Sequence, residues 1–313
     1  MTHAIKPTSL TRRETLRLGA AGFMTLATWS LSDRALGANG NELRIATTLG
    51  PVRGRRQGAI RAFPGIPYTA ANAGIHRFIA PRPATPWTSA LELDPAWARS
   101  VSDPSSAPER GDDLLRVDVY TAPGSGAPRP VLVEVLDWDL PRVAAAREPE
   151  PDPASVVVRV GHRRGPFGFL YLGALIEREF AGSGNAGLLD IVVALRWVRA
   201  NIAAFGGDPE DVTLAGGDTV ACIAALPAAR DLFRQARVPT TPKVATPEAA
   251  DRATRALLKV LEIAPAKARS LQQVPADRLL AVWSEVRGTL AADAAFGPVA
   301  DDLVLPRGAL PTG

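Results

Sequence analysis

Residues 188–220 read LLDIVVALRWVRANIAAFGGDPEDVTLAGGDTV, and this stretch decides the fold. Leu189, Val192, Val193, Leu195, Trp197 and Ile202 recur at helical spacing and cover one broad face of Leu188–Phe205. Asp208-Pro209 ends that helix, because proline lacks the N–H that helix continuation requires. Val212–Ala215 then reads as a short buried strand, and Gly216–Pro227 as a turn leading into another helix. Upstream, Val131–Leu136 and Ser155–Val160 are valine-rich runs of strand length, the pattern of strands buried on both faces of a parallel sheet. Strands alternating with helices predict an open, mostly parallel α/β sheet flanked by helices.

Working outward, residues 42–68 alternate apolar and polar side chains, punctuated by Gly50, Gly54 and Gly58, and predict short antiparallel strands. Val117–Thr121 is a further short strand. Residues 81–112, rich in Pro and Ser, read as loop, and Pro141–Pro153 as a connector. Beyond Pro239, helical patterns at Pro247–Leu261 and Pro275–Arg287 begin with prolines suited to a first helical turn. No internal repeat is evident.

Composition narrows the function classes. With 46% hydrophobic and 22% charged residues among 313, the chain can bury a core that offsets its conformational entropy. One Cys excludes an internal disulfide framework or a multi-cysteine metal site, and three His argue against a histidine-rich centre. No cofactor is implied. Of the net charge of +4, residues 1–38 supply +3 through Lys6, Arg12, Arg13, Arg17 and Arg34 against Glu14 and Asp33. The remaining +1 leaves no basic stripe, so nucleic acid is not an expected partner.

The N-terminus has the form of an export signal. Arg12-Arg13 precede a mild apolar run, Leu18–Leu31, followed by small residues near Ala35–Ala38. Paired arginines in this setting resemble a twin-arginine signal, which predicts a cleaved segment 1–38 and a periplasmic or secreted domain 39–313. The run is shorter than the ~20 apolar residues a membrane span needs, and no later segment reaches that length, so no span is expected after cleavage.

Several phrases converge on one family. Phe63-Pro64-Gly65-Ile66-Pro67-Tyr68, Arg77-Phe78, Pro81 and Pro86-Trp87 resemble the N-terminal part of type-B carboxylesterases, the group of para-nitrobenzyl esterases and cholinesterases. Asp112–Val119 is similar to that family's Glu-Asp-Cys-Leu signature, with Leu114 in the Cys position. Gly165-Pro166-Phe167-Gly168-Phe169, Gly184–Asp190, Asn201–Pro209 and Phe296-Gly297-Pro298-Val299 follow in family order. The resemblance covers 42–310 and implies an α/β-hydrolase fold that cleaves carboxylic esters with a Ser, a His and a Glu or Asp.

The catalytic positions depart from that pattern. Where the resemblance places Gly-x-Ser-x-Gly, this chain has Gly216-Gly217-Asp218-Thr219-Val220, with Asp218 in the Ser position and Val220 in place of the second Gly. Asp tolerates the positive φ of a nucleophile elbow better than most residues, whereas Val220 opposes that turn. The family's oxyanion glycines correspond here to Leu136-Asp137-Trp138-Asp139, two of whose carboxylates would repel an oxyanion. His3, His76 and His162 do not match the catalytic His, and the resemblance places that His and its acid partner beyond Pro306, so the chain reads as lacking the family's C-terminal strands.

The residues themselves leave alternatives open. Haloalkane dehalogenases and epoxide hydrolases share this fold and use an elbow Asp as nucleophile, but they also need a His. Asp137, Asp139 and Asp218 could converge on a hard cation or, as mutually repelling solvated acids, hold none; no metal is assigned. Cys222 reads as a small buried hydrophobe, a nucleophilic role requiring His162 as base. Arg53, Arg55 and Arg56 read as a solvated turn, and the tryptophans are too dispersed for a stacking platform. The expectation is an exported, catalytically inactive carboxylesterase homologue that holds an ester or other small ligand in a remnant pocket. The alternative is an active ester hydrolase with an atypical or partner-completed site. Loss of the C-terminal strands would bring Val212–Ala215 nearer an open sheet edge and favour self-association.

Overall fold

The computed structural model describes residues 42–92, 115–124, 126–135, 154–176, 178–238, 242, 244–290 and 295–312. The predicted export segment 1–38, Asp137, Trp138 and Asp139, the predicted connector Pro141–Pro153 and most of the predicted 81–112 loop lie outside them.

Among the described residues, eight strands form one sheet: β1 (Glu42–Ala46), β2 (Pro51–Gln57), β3 (Ile60–Pro67), β4 (Arg116–Thr121), β5 (Arg129–Val135), β6 (Val156–Val160), β7 (Gly207–Ala215) and β8 (Gln235–Arg237). Their order is β1-β2-β3-β4-β6-β5-β7-β8. β1 to β4 form an antiparallel meander, and β4 also pairs antiparallel with β6. β6, β5, β7 and β8 run parallel, as the valine-rich runs predict. Side-chain alternation sends Val131, Val133 and Val135 of β5, with Val156, Val158 and Val160 of β6, into the main core.

The described residues also form the α-helices α1 (Gly165–Phe169), α2 (Ala186–Asn201), α3 (Asp218–Ala224), α4 (Pro247–Val260) and α5 (Ala276–Thr289). In α2 the fully buried stripe is Leu188, Ile191, Val192, Leu195 and Val198, while Leu189 and Val193 are only half-buried. The predicted face is thus rotated by about one position, because the helix lies against the sheet on the side that Leu188 and Ile191 occupy. A 3₁₀ turn, Ile202–Phe205, closes the helix on Gly206, whose left-handed φ of 84° suits a residue without Cβ. Asp208 and Pro209 lie within β7, which begins five residues before the predicted strand.

Sequence reasoning misses β8. Thr213–Ala215 of β7 pair with Gln235–Arg237, so β7 lies one strand inside the edge and the open edge is only three residues long. A second core joins α4 and α5 to the loops below them, with Leu257, Leu279, Val282 and Trp283 packed against Phe78 and Phe167. Pro247 occupies the first turn of α4, which Thr246 caps by accepting from the Ala249 N–H at 3.2 Å. Pro275 instead stands at the cap position of α5, one residue before the helix. Among the described residues, no helix is long and apolar enough to cross a membrane.

Candidate active site

Parallel strands end at one edge of a sheet, and ligands of open α/β sheets bind outside that carboxyl edge. Here β5 ends there at Val135, β6 leads to Gly161–Arg164 and β7 to Gly216–Asp218. Glu134 and Ala215 are partners across β5 and β7, which brings the elbow beside the end of β5. A Cβ on Gly216 would lie 2.5 Å from the Val135 carbonyl oxygen and 2.8 Å from Val220 Cγ2. Gly216 is therefore fixed by close packing rather than by chemistry.

Asp218 does not adopt an elbow conformation. It is the first residue of α3, with Gly217 as cap and the Val220 N–H donating to the Gly217 carbonyl at 3.1 Å. Positive φ among described non-glycine residues occurs at Phe78, Glu262 and Asp302, not at Asp218. The strained turn that the tolerance of Asp would permit is absent, and Val220 is the physical reason. Its side chain is fully buried in the main core, which draws residues 218–220 into regular helix. Cys222 is buried in the same core, the hydrophobic placement read from sequence.

His162 lies at the end of β6, buried, with Nδ1 2.9 Å from the Arg163 carbonyl oxygen. His76 is half-buried in a 3₁₀ turn, Gly74–His76, and His3 is outside the described residues. No group of acidic, His and Cys side chains fit to hold a metal occurs among the described residues, and Asp137 and Asp139 are not among these. Arg53, Arg55 and Arg56 fall on β2, where the exposed Arg53 guanidinium meets Glu92 at 3.2 Å.

The strongest electrostatic feature of this edge escapes the sequence reading. Arg163 and Asp190 are both fully buried and pair bidentately, Nε to Oδ2 at 2.8 Å and Nη2 to Oδ1 at 2.7 Å. The Arg163 backbone N–H also donates to Asp190 Oδ2 at 3.1 Å, and Nη1 reaches the Ile79 carbonyl at 2.7 Å. Gly168 and Gly187 pack on the same residue: a Cβ on either would lie 2.2 Å and 2.4 Å from the Arg163 carbonyl oxygen. The buried Tyr68 hydroxyl donates to the Gly161 carbonyl at 2.8 Å, and burial, aided by the negative Asp190, holds that phenol well above its ordinary pKa. This network ties the end of β6 to α1, α2 and the loop after β3.

Arg164 differs. It is only 3% exposed, its Nη1 is buried without a hydrogen-bond partner, and it makes no ion pair with any described residue. Desolvation lowers its pKa. Removing a guanidinium from water without compensation costs several kcal/mol. Asn72, on the loop after β3, is fully buried with both amide atoms unpartnered. A charged residue directly after Arg163, between the valine run and Gly165-Pro166-Phe167, is the only trace of this in the sequence.

Asp118 of β4 is also buried, and burial pushes its carboxyl up to about 7, opposed by the Gly65 N–H at 2.6 Å and by the Arg159 charge. Arg159 faces it across the β4–β6 pair and bonds Glu134 at 2.9 Å.

An eight-stranded sheet with a parallel block, an elbow position after β7 and helices packed on it define an α/β-hydrolase. The family model described as "Carboxylesterase family" matches residues 41–311, and the chain belongs to that family. It is 34% identical over 263 residues to the para-nitrobenzyl esterase of Bacillus subtilis (strain 168), covering 78% of this chain and 53% of that one. Carboxylesterase 3 of Homo sapiens is 34% identical over 233 residues, 64% of this chain and 40% of the human protein. The solved carboxylesterase of Geobacillus stearothermophilus superposes with a TM-score of 0.73 at 32% identity, covering 85% of this chain and 57% of its own. The chain thus spans about half the length of the relatives it matches.

Proposed function

We propose that this chain is an exported, catalytically silent member of the carboxylesterase family, a scaffold that holds a small ligand rather than turning over an ester. The observation that carries this reading is Asp218 as the first residue of a regular helix. Carboxylate chemistry supports it. Attack of a carboxylate on a carboxylic ester gives a tetrahedral adduct that expels the carboxylate again in preference to the far more basic alkoxide. An Asp at the Ser position therefore does not replace the nucleophile for this reaction. The Asp137-Trp138-Asp139 sequence in place of glycines supports the same reading, because carboxylates oppose a developing oxyanion.

The test is covalent trapping. The purified chain is incubated with an excess of a fluorophosphonate ester and its intact mass is measured. No adduct is expected. Stoichiometric labelling of one residue would overturn the reading in favour of an active hydrolase, and the labelled peptide would identify its nucleophile. Export is tested separately: Arg12→Lys with Arg13→Lys should leave the protein in the cytoplasm with residues 1–38 attached, and unchanged export would refute a twin-arginine route.

A further inference from the structure

We infer that Arg164 anchors a binding site for a small monocarboxylate at the carboxyl edge of the sheet, with Asn72 as its neutral partner. Arg163 and Arg164 are adjacent, but Arg163 is neutralised by Asp190 through two side-chain hydrogen bonds, whereas Arg164 is 3% exposed, its Nη1 is buried without a hydrogen-bond partner, and it forms no ion pair with a described residue. A guanidinium stays charged at any pH a protein meets, so burial does not resolve into neutralisation. An anion that reaches it resolves the imbalance.

Placement supplies the second line. Arg164 lies four residues beyond β6, at the edge where open α/β sheets take their ligands. β3 runs in the same direction as β6, since both pair antiparallel with β4, so the loop carrying Asn72 leaves the sheet at that edge too. The two loops are joined at their bases by the Tyr68 hydroxyl on the Gly161 carbonyl. Asn72 brings a donor and an acceptor, both buried and unused.

The ligand class follows from these groups. A planar guanidinium matches the two oxygens of a carboxylate by parallel N–H···O bonds. The single uncompensated positive charge balances one negative charge; a phosphate dianion would leave a buried excess. Asn72 suits a hydroxyl or carbonyl beside the carboxylate, or its second oxygen. This site concerns binding alone and stands whether or not Asp218 is silent, which ester trapping reads independently.

The experiment titrates the full chain with sodium acetate, butyrate and benzoate by calorimetry at constant ionic strength, with inorganic phosphate as comparison anion. One-site, saturable binding of at least one carboxylate is expected, weakened at least about tenfold in Arg164→Met and about threefold in Asn72→Ala. Phosphate should bind more weakly than that carboxylate. Without ligand, Arg164→Met should melt at the same temperature or higher, because it removes a buried uncompensated charge. No saturable binding, equal binding by Arg164→Met, or tighter binding of phosphate would overturn the proposal. So would a lower melting temperature of ligand-free Arg164→Met, which would mean that the guanidinium is already paired within the chain.

Discussion

Asp190→Asn should be among the most damaging isosteric changes in this protein. Asp190 accepts the Arg163 Nε, Nη2 and backbone N–H at 2.8, 2.7 and 3.1 Å, and both side chains are 0% exposed. Asn keeps the shape and one acceptor oxygen, but it removes the negative charge and turns an NH₂ toward guanidinium donors. The Ile79 carbonyl at 2.7 Å and the Ala186 carbonyl at 3.4 Å remain, neither able to neutralise a cation. Breaking one half of a buried pair costs about 3–5 kcal/mol. At roughly 2–4 °C per kcal/mol for a domain of this size, the melting temperature should fall by on the order of 10 °C. Replacing both partners, Arg163→Met with Asp190→Leu, should recover much of that loss, since no charge is then left unpaired. The assay is thermal unfolding followed by circular dichroism at fixed protein concentration. A shift within about 1 °C for Asp190→Asn, or a double variant worse than the sum of its singles, would refute the assignment of this pair as the tie between β6 and α2.

Asp118 should make the protein less stable as pH rises. Its folded-state carboxyl sits at about 7 against an ordinary 3.8, so between those values the unfolded chain releases its proton while the folded chain keeps it. The contribution is fully present below about pH 4 and lost by about pH 7, roughly 4 kcal/mol in all. Asp118→Asn, which keeps an acceptor for the Gly65 N–H, should flatten this part of the stability profile in denaturant titrations at pH 5 and 8; an unchanged slope would contradict it. Gly187→Ala should destabilise by about 1–3 kcal/mol or more, because its Cβ would lie 2.4 Å from the Arg163 carbonyl oxygen and 2.7 Å from the Phe169 ring. Gly288→Ala, within α5 and with nothing inside 4 Å of the added Cβ, should instead stabilise by about 0.5–1 kcal/mol, and equal effects at the two glycines would refute the packing argument.

Much of the fold is legible in the sequence because the phrases that carry the resemblance are scaffold residues. Asn185 holds the Val299 segment through both amide atoms, Nδ2 to the Val299 carbonyl at 2.8 Å and Oδ1 from its N–H at 3.0 Å. Asn201 ties α2 to the β1–β2 turn by accepting from the Thr48 N–H at 2.7 Å. Asp190, Gly168 and Gly187 converge on Arg163, and Asp118 fixes the Gly65 bulge of β3. These contacts hold backbone segments together, which is why family membership is legible despite Asp218 and Val220. Other features could not be read from local pattern. β8 is three residues of mixed polarity, Gln235-Ala236-Arg237, made a strand only by pairing with Thr213–Ala215, whose other side pairs with β5. The turn of the α2 face depends on which side meets the sheet, a tertiary fact. Arg163 and Arg164 look alike in sequence, yet only Arg163 pairs with a carboxylate among the described residues. The elbow was legible as altered, but its relaxation into helix required knowing that Val220 is drawn into the core.

Loss of catalysis on a retained family scaffold is tested by turnover of short p-nitrophenyl esters by the purified full chain beside Asp218→Ala. Release of p-nitrophenol no faster than in buffer is expected for both proteins. Turnover in the unaltered chain that Asp218→Ala abolishes would overturn catalytic silence and make Asp218 the catalytic nucleophile.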